Sequence, residues 1–275
     1  MSAPVSRLQG AVAMLAVAWM AGCTEVEAPA GDAGPYYVLI TNARVVDGAG
    51  NPWFRADVGI RGDRIAEVGA LAGRPAQRTI DVGNRVVAPG FIDMMGQSTV
   101  VLVTDPPSAE SKLRQGITTY LSGEGGSAAP RSPDADPVQL ASGAEVRWTT
   151  YAEYFDVLES EGIPINVVHD VGLTQVRRVV LGDEDVQPTP GQLEEMRVLV
   201  RQAMEHGAVG TSTSLIYPPA IYAETEELIE LTRVAGEYGG VYFTHMRNES
   251  NAVLDAIREA IEVGAGAGVP VHIYH

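Results

Sequence analysis

Two histidines stand at the ends of short apolar runs, His245 after Gly240–Thr244 and His275 after Val269–Tyr274. Other runs end in polar groups as well. Val86–Met94 leads through Asp93 to Met95-Gly96-Gln97, and Ile117–Ser122 leads to Gly123-Glu124-Gly125-Gly126. Ile165–Val171 carries His169-Asp170, and Ala208–Ser214 closes on Thr211-Ser212-Thr213-Ser214. A carboxylate and two imidazoles from different strand ends can converge on one ion. Zinc takes such nitrogen and oxygen ligands in a compact shell and leaves one position for water. Alternation along a strand puts His245 on one face with Val241 and Phe243, and His275 with Val271 and Ile273. His272 is then expected to point the other way, toward the helices. The competing reading is two histidines satisfied inside a core. His169 reads as structural, and His206, just before Gly207, as facing a helix dipole.

The elements that must position these groups alternate. Helical patterns lie between the apolar runs. Thr150-Tyr151-Ala152-Glu153 is a capping box, followed by the stripe Tyr151, Tyr154, Phe155 and Leu158 up to Gly162. Thr189-Pro190-Gly191-Gln192 opens a second helix with proline at its first position. A third starts near Thr225, and a fourth runs from about Asn251 to Gly264. Strands alternating with helices predict an α/β fold with a parallel sheet and right-handed crossovers, open or closed into a (β/α)8 barrel. No G-x-G-x-x-G follows the first strand, which disfavours a dinucleotide site. In a barrel, chemistry gathers at the C-terminal strand ends. Residues 36–88 read differently, as short strands separated by Asp47-Gly48, Gly50-Asn51-Pro52 and Arg61-Gly62-Asp63, a small antiparallel β module. The stretch Gly125–Val146, rich in Gly, Ala, Ser, Pro and Asp, reads as a lid over the top face or a solvated insertion.

Composition bounds the function. The 275 residues are 45% hydrophobic and 20% charged, which suits a globular chain with a core. The net charge of -16 and the lack of a basic stripe argue against nucleic acid as a partner. The N-terminus reads as a lipoprotein signal peptide over residues 1–22. Arg7 precedes an apolar run from Gly10 to Ala21, too short for a comfortable membrane span, and the run ends in Met20-Ala21-Gly22-Cys23. Cys23, the single cysteine, is expected to carry lipid on the periplasmic side of a bacterial membrane. Residues 23–35 follow as a flexible tether.

Val87-Ala88-Pro89-Gly90-Phe91-Ile92-Asp93 resembles the entry to the first barrel strand of the amidohydrolase superfamily. An ordered set of further segments resembles the N-acyl-D-amino-acid deacylase (D-aminoacylase) family over residues 37–275. It comprises Arg114-Gln115-Gly116-Ile117-Thr118-Thr119, the Gly123–Gly126 turn, Gly207–Thr213, Leu215–Pro219, Thr244-His245-Met246-Arg247-Asn248-Glu249 and Val269–His275. The resemblance implies a small β-sandwich, its N-terminal part at 36–88, followed by a (β/α)8 barrel present from 89 to 275 through about the sixth strand. It also implies a hydrolase of linear amide C–N bonds that cleaves N-acyl-D-amino acids with one zinc ion held by Glu124, His245 and His275. Arg247 and Tyr217 become candidates for contacting that substrate, although Arg247 could equally pair with Glu249 and Tyr217 could merely pack beside Pro218 and Pro219.

Three departures from the family pattern stand out. Glu124 occupies a place where the family more often has cysteine. Met95 and Gln97 occupy the places of a His-x-His pair that would hold a second metal, and no lysine stands on the fourth strand, Lys112 being the only one in the chain. Both of the latter point to one ion. The catalytic aspartate that the resemblance expects after an eighth strand would lie past residue 275, so the reading is of a fragment with impaired activity. The alternatives are an amidohydrolase acting on cyclic amides or dipeptides, and a non-catalytic lipoprotein.

Overall fold

The computed structural model describes residues 34–275. The expected signal peptide, Cys23 and most of the tether lie outside the described residues. The chain forms two compact units that divide between Ala88 and Pro89.

The first unit is a five-stranded sheet: β1 (Tyr36–Val45), β2 (Phe54–Arg61), β3 (Arg64–Gly69), β4 (Ala76–Asp81) and β5 (Val86–Val87). β1–β2 and β2–β3 are antiparallel. The expectation of a purely antiparallel module needs correction, because β4 and β5 both run parallel to β1. The chain crosses back after β3, so Ala76 pairs with Tyr36 and Asp81 with Thr41. The buried Asp57 carboxylate fixes that crossing by accepting the Asn42 and Leu71 amides.

The second unit alternates strand and helix. It begins with β6 (Phe91–Asp93), the short helices α1 (Val101–Thr104) and α2 (Glu110–Leu113), and β7 (Ile117–Ser122). A two-residue hairpin, β8 (Val138–Gln139) with β9 (Glu145–Val146), precedes α3 (Tyr151–Glu161) and β10 (Asn166–His169). Then come β11 (Val171–Gly172), α4 (Leu173–Leu181), α5 (Pro190–Glu205), β12 (Gly210–Ser214), α6 (Thr225–Gly236), β13 (Val241–His245), α7 (Val253–Ala267) and β14 (Val271–Ile273). The strands pair in parallel as β6-β7-β10 and β11-β12-β13-β14. Among the described residues this pairing does not close on itself. Asp170 alone separates β10 from β11.

The expected capping box at Thr150 is present, and the helix start expected at Thr189 proves to be a second one. The Thr150 hydroxyl accepts the Glu153 amide while the Glu153 carboxylate accepts the Thr150 amide, and Thr189 and Gln192 do the same for α5. Such a cap is worth about 1 kcal/mol. Helix α4 carries no side-chain cap, its N-cap being Gly172, and so gave no start signal in the sequence. Tyr154, Val176, Met196, Val200, Leu231, Tyr242 and Val263 form the core on the helix side. A smaller cluster of Leu121, Phe243 and Tyr274 lies on the other face of the strands. The Gly125–Val146 stretch is anchored at Ala129 and Leu140, both buried, while most of residues 133–145 are exposed.

Candidate metal centre

Each ligand candidate owes its place to a strand end. β13 delivers His245 with the phase of Phe243, on the face opposite Tyr242. The phase expected for β14 is reversed. Val271 packs toward α7, where it would strike a Cβ at Gly264, while the His272 ring lies tilted against Phe243 and edge-on to Tyr274. The register explains this, since Phe243 pairs with His272 and parallel neighbours share a face. His275 nevertheless reaches the centre because β14 ends at Ile273, beyond which alternation no longer sets the side chain's direction.

Glu124 sits in the turn after β7 with a left-handed backbone, φ 77°. Its two glycine neighbours make the turn possible. A Cβ on Gly123 would fall about 1.9 Å from Asp170 Oδ2, and one on Gly125, itself at φ +85°, would fall 2.6 Å from the Ser214 amide nitrogen. Glu124 Oε1 lies 3.0 Å from His245 Nδ1 and 3.2 Å from His275 Nε2. One ligand atom from each of the three residues falls within 4.8 Å of the others. The two imidazoles meet edge to face with centroids 4.6 Å apart. His245 is buried and His275 partly exposed. Burial drives the Glu124 carboxyl up, but hydrogen bonds from His245, His275 and Gln97 outweigh it and hold it below its ordinary range. The hydrogen bond to Glu124 raises the His275 pKa against a smaller opposing effect of burial.

Sequence reasoning missed one member. Glu249 Oε1 lies 3.0 Å from His275 Nδ1 and 3.6 Å from His245 Nε2. Its spacing of four from His245 was visible, but the segment between them is not helical, so no periodicity announced the contact. Gln97 Nε2 donates to Glu124 Oε2 at 3.2 Å.

The other candidates divide. The Tyr217 ring stands edge-on to His245 with centroids 5.7 Å apart and remains half exposed. The structure does not bring Arg247 into the cluster. Its Nε and Nη2 donate to Glu259, and Nη1 and Nη2 donate to the carbonyls of Ile221 and Ala223. The expected pairing of Arg247 with Glu249 is therefore not the one formed. Asp93 is held by Lys112 and the Met95 amide, and Met95 packs beside Leu121 and Phe243. His169 is buried among Tyr151, Tyr154 and Phe155. His206 caps the end of α5, and its Nδ1 accepts the Ala152 amide at the start of α3.

A cavity of about 360 Å³ opens beside Glu124, lined by Gln97, Gly123, Ser127 and Gln175 among others. A larger one of about 820 Å³ lies at the beginnings of the strands, around Thr118, Ile165 and Val209, and is lined by none of Glu124, His245, His275 and Glu249. The smaller cavity is therefore the one placed to admit a reactant.

The donor set suits a metal. A carboxylate and two imidazoles are zinc ligands, and the buried His245 Nε2 has no hydrogen-bond partner. A buried polar atom left unpaired is costly unless something binds it.

Comparisons with known proteins agree with this chemistry. No family model matches the chain. A D-aminoacylase of Alcaligenes xylosoxydans xylosoxydans is 38% identical over 248 residues, 89% of this chain and 51% of the relative. An N-acyl-D-glutamate deacylase of the same organism is 39% identical over 241 residues, 86% of this chain and 49% of the relative. The chain thus spans about half the length of the curated relatives it matches. Among solved structures, a D-aminoacylase described as defining a novel subset of amidohydrolases superposes with a TM-score of 0.79 at 36% identity, over 88% of this chain and 52% of that one. An N-acyl-D-glutamate deacylase from Bordetella bronchiseptica, complexed with zinc and a phosphonate mimic of the tetrahedral intermediate, gives 0.78 at 36% identity, over 86% and 51%. A further D-aminoacylase has a binuclear centre described by one-metal activation and second-metal attenuation, with a TM-score of 0.75 at 35% identity over 88% and 52%. The α/β fold is shared more distantly with an L-hydantoinase from Arthrobacter aurescens, at a TM-score of 0.57 and 19% identity over 87% and 53%.

Proposed function

From its homology to the D-aminoacylases and N-acyl-D-glutamate deacylases of the amidohydrolase superfamily, we propose that this chain carries the metal-holding part of a site that hydrolyses N-acyl-D-amino acids. The observation that carries the reading is the convergence of Glu124, His245 and His275 within 4.8 Å. We read the first unit as the N-terminal part of a β-sandwich and the second as a (β/α)8 barrel through its sixth strand, with the cluster at the C-terminal strand ends.

Glu124, His245 and His275 hold the ion. When bound there, zinc supplies Lewis acidity toward water and an acyl carbonyl. Glu249 Oε1 lies 3.0 Å from His275 Nδ1, and a carboxylate beside the second nitrogen of a metal-binding imidazole typically helps to orient the ring. Gln97 holds the second Glu124 oxygen. One ion is the reading that fits, since Gln97 spends its amide on Glu124 and Met95 is packed in an apolar cluster. Tyr217 flanks His245 and is placed to pack on a bound acyl amino acid. D-selectivity rests on the homology.

The test pairs zinc titration with amine release from N-acetyl-D-methionine and its L-isomer. Zinc uptake, with any release favouring the D-isomer, supports the reading, and absence of zinc uptake or zinc-independent or L-selective release overturns it. Lipid attachment at Cys23, with periplasmic anchoring, is supported by the apolar run ending in Met20-Ala21-Gly22-Cys23. Mass spectrometry of the mature N-terminus tests it, and an unmodified N-terminus elsewhere would refute it.

A further inference from the structure

Asp170 is the one fully buried carboxylate described next to the candidate centre, and the metal-holding reading gives it no task. It occupies the single residue between β10 and β11, where the strand pairing passes from β7 to β12. That position turns its side chain inward beneath the Glu124 turn. Gly123 has no room for a Cβ because the Asp170 carboxylate occupies that space.

The two carboxylate oxygens serve different arms. Ser212 Oγ donates to Oδ1 at 2.6 Å and accepts the Gly125 amide at 2.9 Å. Tyr274 Oη donates to Oδ2 at 3.2 Å. Gly125 follows Glu124 and Tyr274 precedes His275. One carboxylate therefore grips the chain next to two of the three candidate ligands, which come from segments 151 residues apart. Tyr151 Oη donates to the Asp170 carbonyl, and the Asp170 amide donates to the Ser122 carbonyl, so Asp170 is itself held from α3 and β7.

A carboxylate shut off from water is costly, and an apolar residue would pack the same space more cheaply. What the carboxylate adds is two acceptor directions at a fixed angle. Those are what a left-handed Glu124 and a His275 past the end of β14 require, since neither is held by strand pairing of its own.

Resting on the metal-holding reading, we propose that Asp170 is a positioning residue that sets the separation of Glu124 and His275 through Ser212 and Tyr274.

The experiment uses the whole chain with Asp170→Asn, Ser212→Ala, Tyr274→Phe and the pair Asp170→Asn/Ser212→Ala. Zinc affinity is read by chelator competition, the cobalt-substituted d–d spectrum reports ligand geometry, and metal-free melting reports the fold. Removing a partner that orients a ligand typically costs 10–100-fold in metal affinity. We expect a loss of about that size for Asp170→Asn, smaller losses for each arm, an altered cobalt spectrum, and no further loss in the pair. Unchanged zinc affinity and cobalt spectra in the variants, with only lowered melting, would overturn the role and leave Asp170 a core residue. Should Asp170→Asn fail to fold, Ser212→Ala and Tyr274→Phe decide by the same criteria. A wild-type chain that takes up no zinc overturns the metal reading and this role together. Zinc uptake by wild type with indifferent variants overturns this role alone.

Discussion

The Glu249 carboxylate lies 3.0 Å from Nδ1 of His275, while Glu124 lies 3.2 Å from Nε2 of the same ring. His275 is thus held between two acids, one on each nitrogen, and only one of those nitrogens is free to bind an ion. Glu249 selects which. Glu249→Gln is expected to weaken zinc binding by about tenfold or more, at the low end of what such orienting partners contribute. Chelator competition measures it, and NMR of the imidazole nitrogens should show His275 losing its fixed tautomer in the metal-free variant.

At the proposed site Glu124 would supply a hard oxygen donor, where the sequence resemblance implies sulfur more often. Glu124→Cys is expected to bind zinc at least as tightly as wild type and to give cobalt a thiolate charge-transfer band, because thiolate is an excellent zinc ligand. Glu124→Gln keeps the shape, loses the charge, and is expected to lose zinc binding. Optical titration with cobalt distinguishes the two.

Gly123→Ala places a methyl group where the Asp170 carboxylate sits. Forcing atoms into a filled interior typically costs 1–3 kcal/mol, and at this position the displaced group also holds Ser212 and Tyr274. A lowered melting temperature is expected. Gly126→Ala, with open space around its Cα, is expected to leave melting unchanged.

The strand ends, the four main helices, the Thr150 capping box and the Thr189-Pro190 helix start could be read from the sequence, because apolar periodicity, Thr-x-x-Glu spacing and a proline at the first helical position are local signals. The cluster of Glu124, His245 and His275 was reached by adding a family resemblance to that pattern. Long-range facts were not readable. The phase of β14 depends on its register against β13, which placed His272 on the Phe243 face against expectation. The parallel pairing of β4 with β1 follows from a crossing that no turn motif marks. Arg247 looked available because Glu259, its partner, comes from α7. Asp170 looked like an ordinary strand-end acid because burial, not its neighbours in sequence, sets its role.

His169 and Asp170 are adjacent, both buried, and titrate in opposition. Burial pushes the Asp170 carboxyl up to about 7, against hydrogen bonds from Ser212 and Tyr274. Burial pushes the His169 imidazole down to about 4. Between about pH 4 and 7 the folded state holds a proton on Asp170 that the unfolded chain has lost, so this carboxyl makes stability fall as pH rises. Between about pH 4 and 6.5 the unfolded chain holds a proton that folded His169 lacks, so this imidazole makes stability rise with pH. The two largely cancel below pH 6.5. His169→Phe is expected to expose the Asp170 slope, with stability falling from pH 4 to 7. Asp170→Asn is expected to expose the opposite slope, rising from pH 4 to 6.5. Each slope is at most about 1.4 kcal/mol per pH unit. Urea unfolding at half-unit pH steps measures both, and parallel profiles for the two variants would refute the opposition.

The central claim is that Glu124, His245 and His275 form one metal site. Zinc-edge X-ray absorption on the zinc-loaded chain, with stoichiometry from atomic absorption, tests it most directly. The account predicts one zinc per chain, with two imidazoles and oxygen donors at about 2.0–2.2 Å and uptake lost in His245→Ala and His275→Ala. A chain that takes up no zinc, or one whose zinc shell is unaltered by those two substitutions, would contradict it.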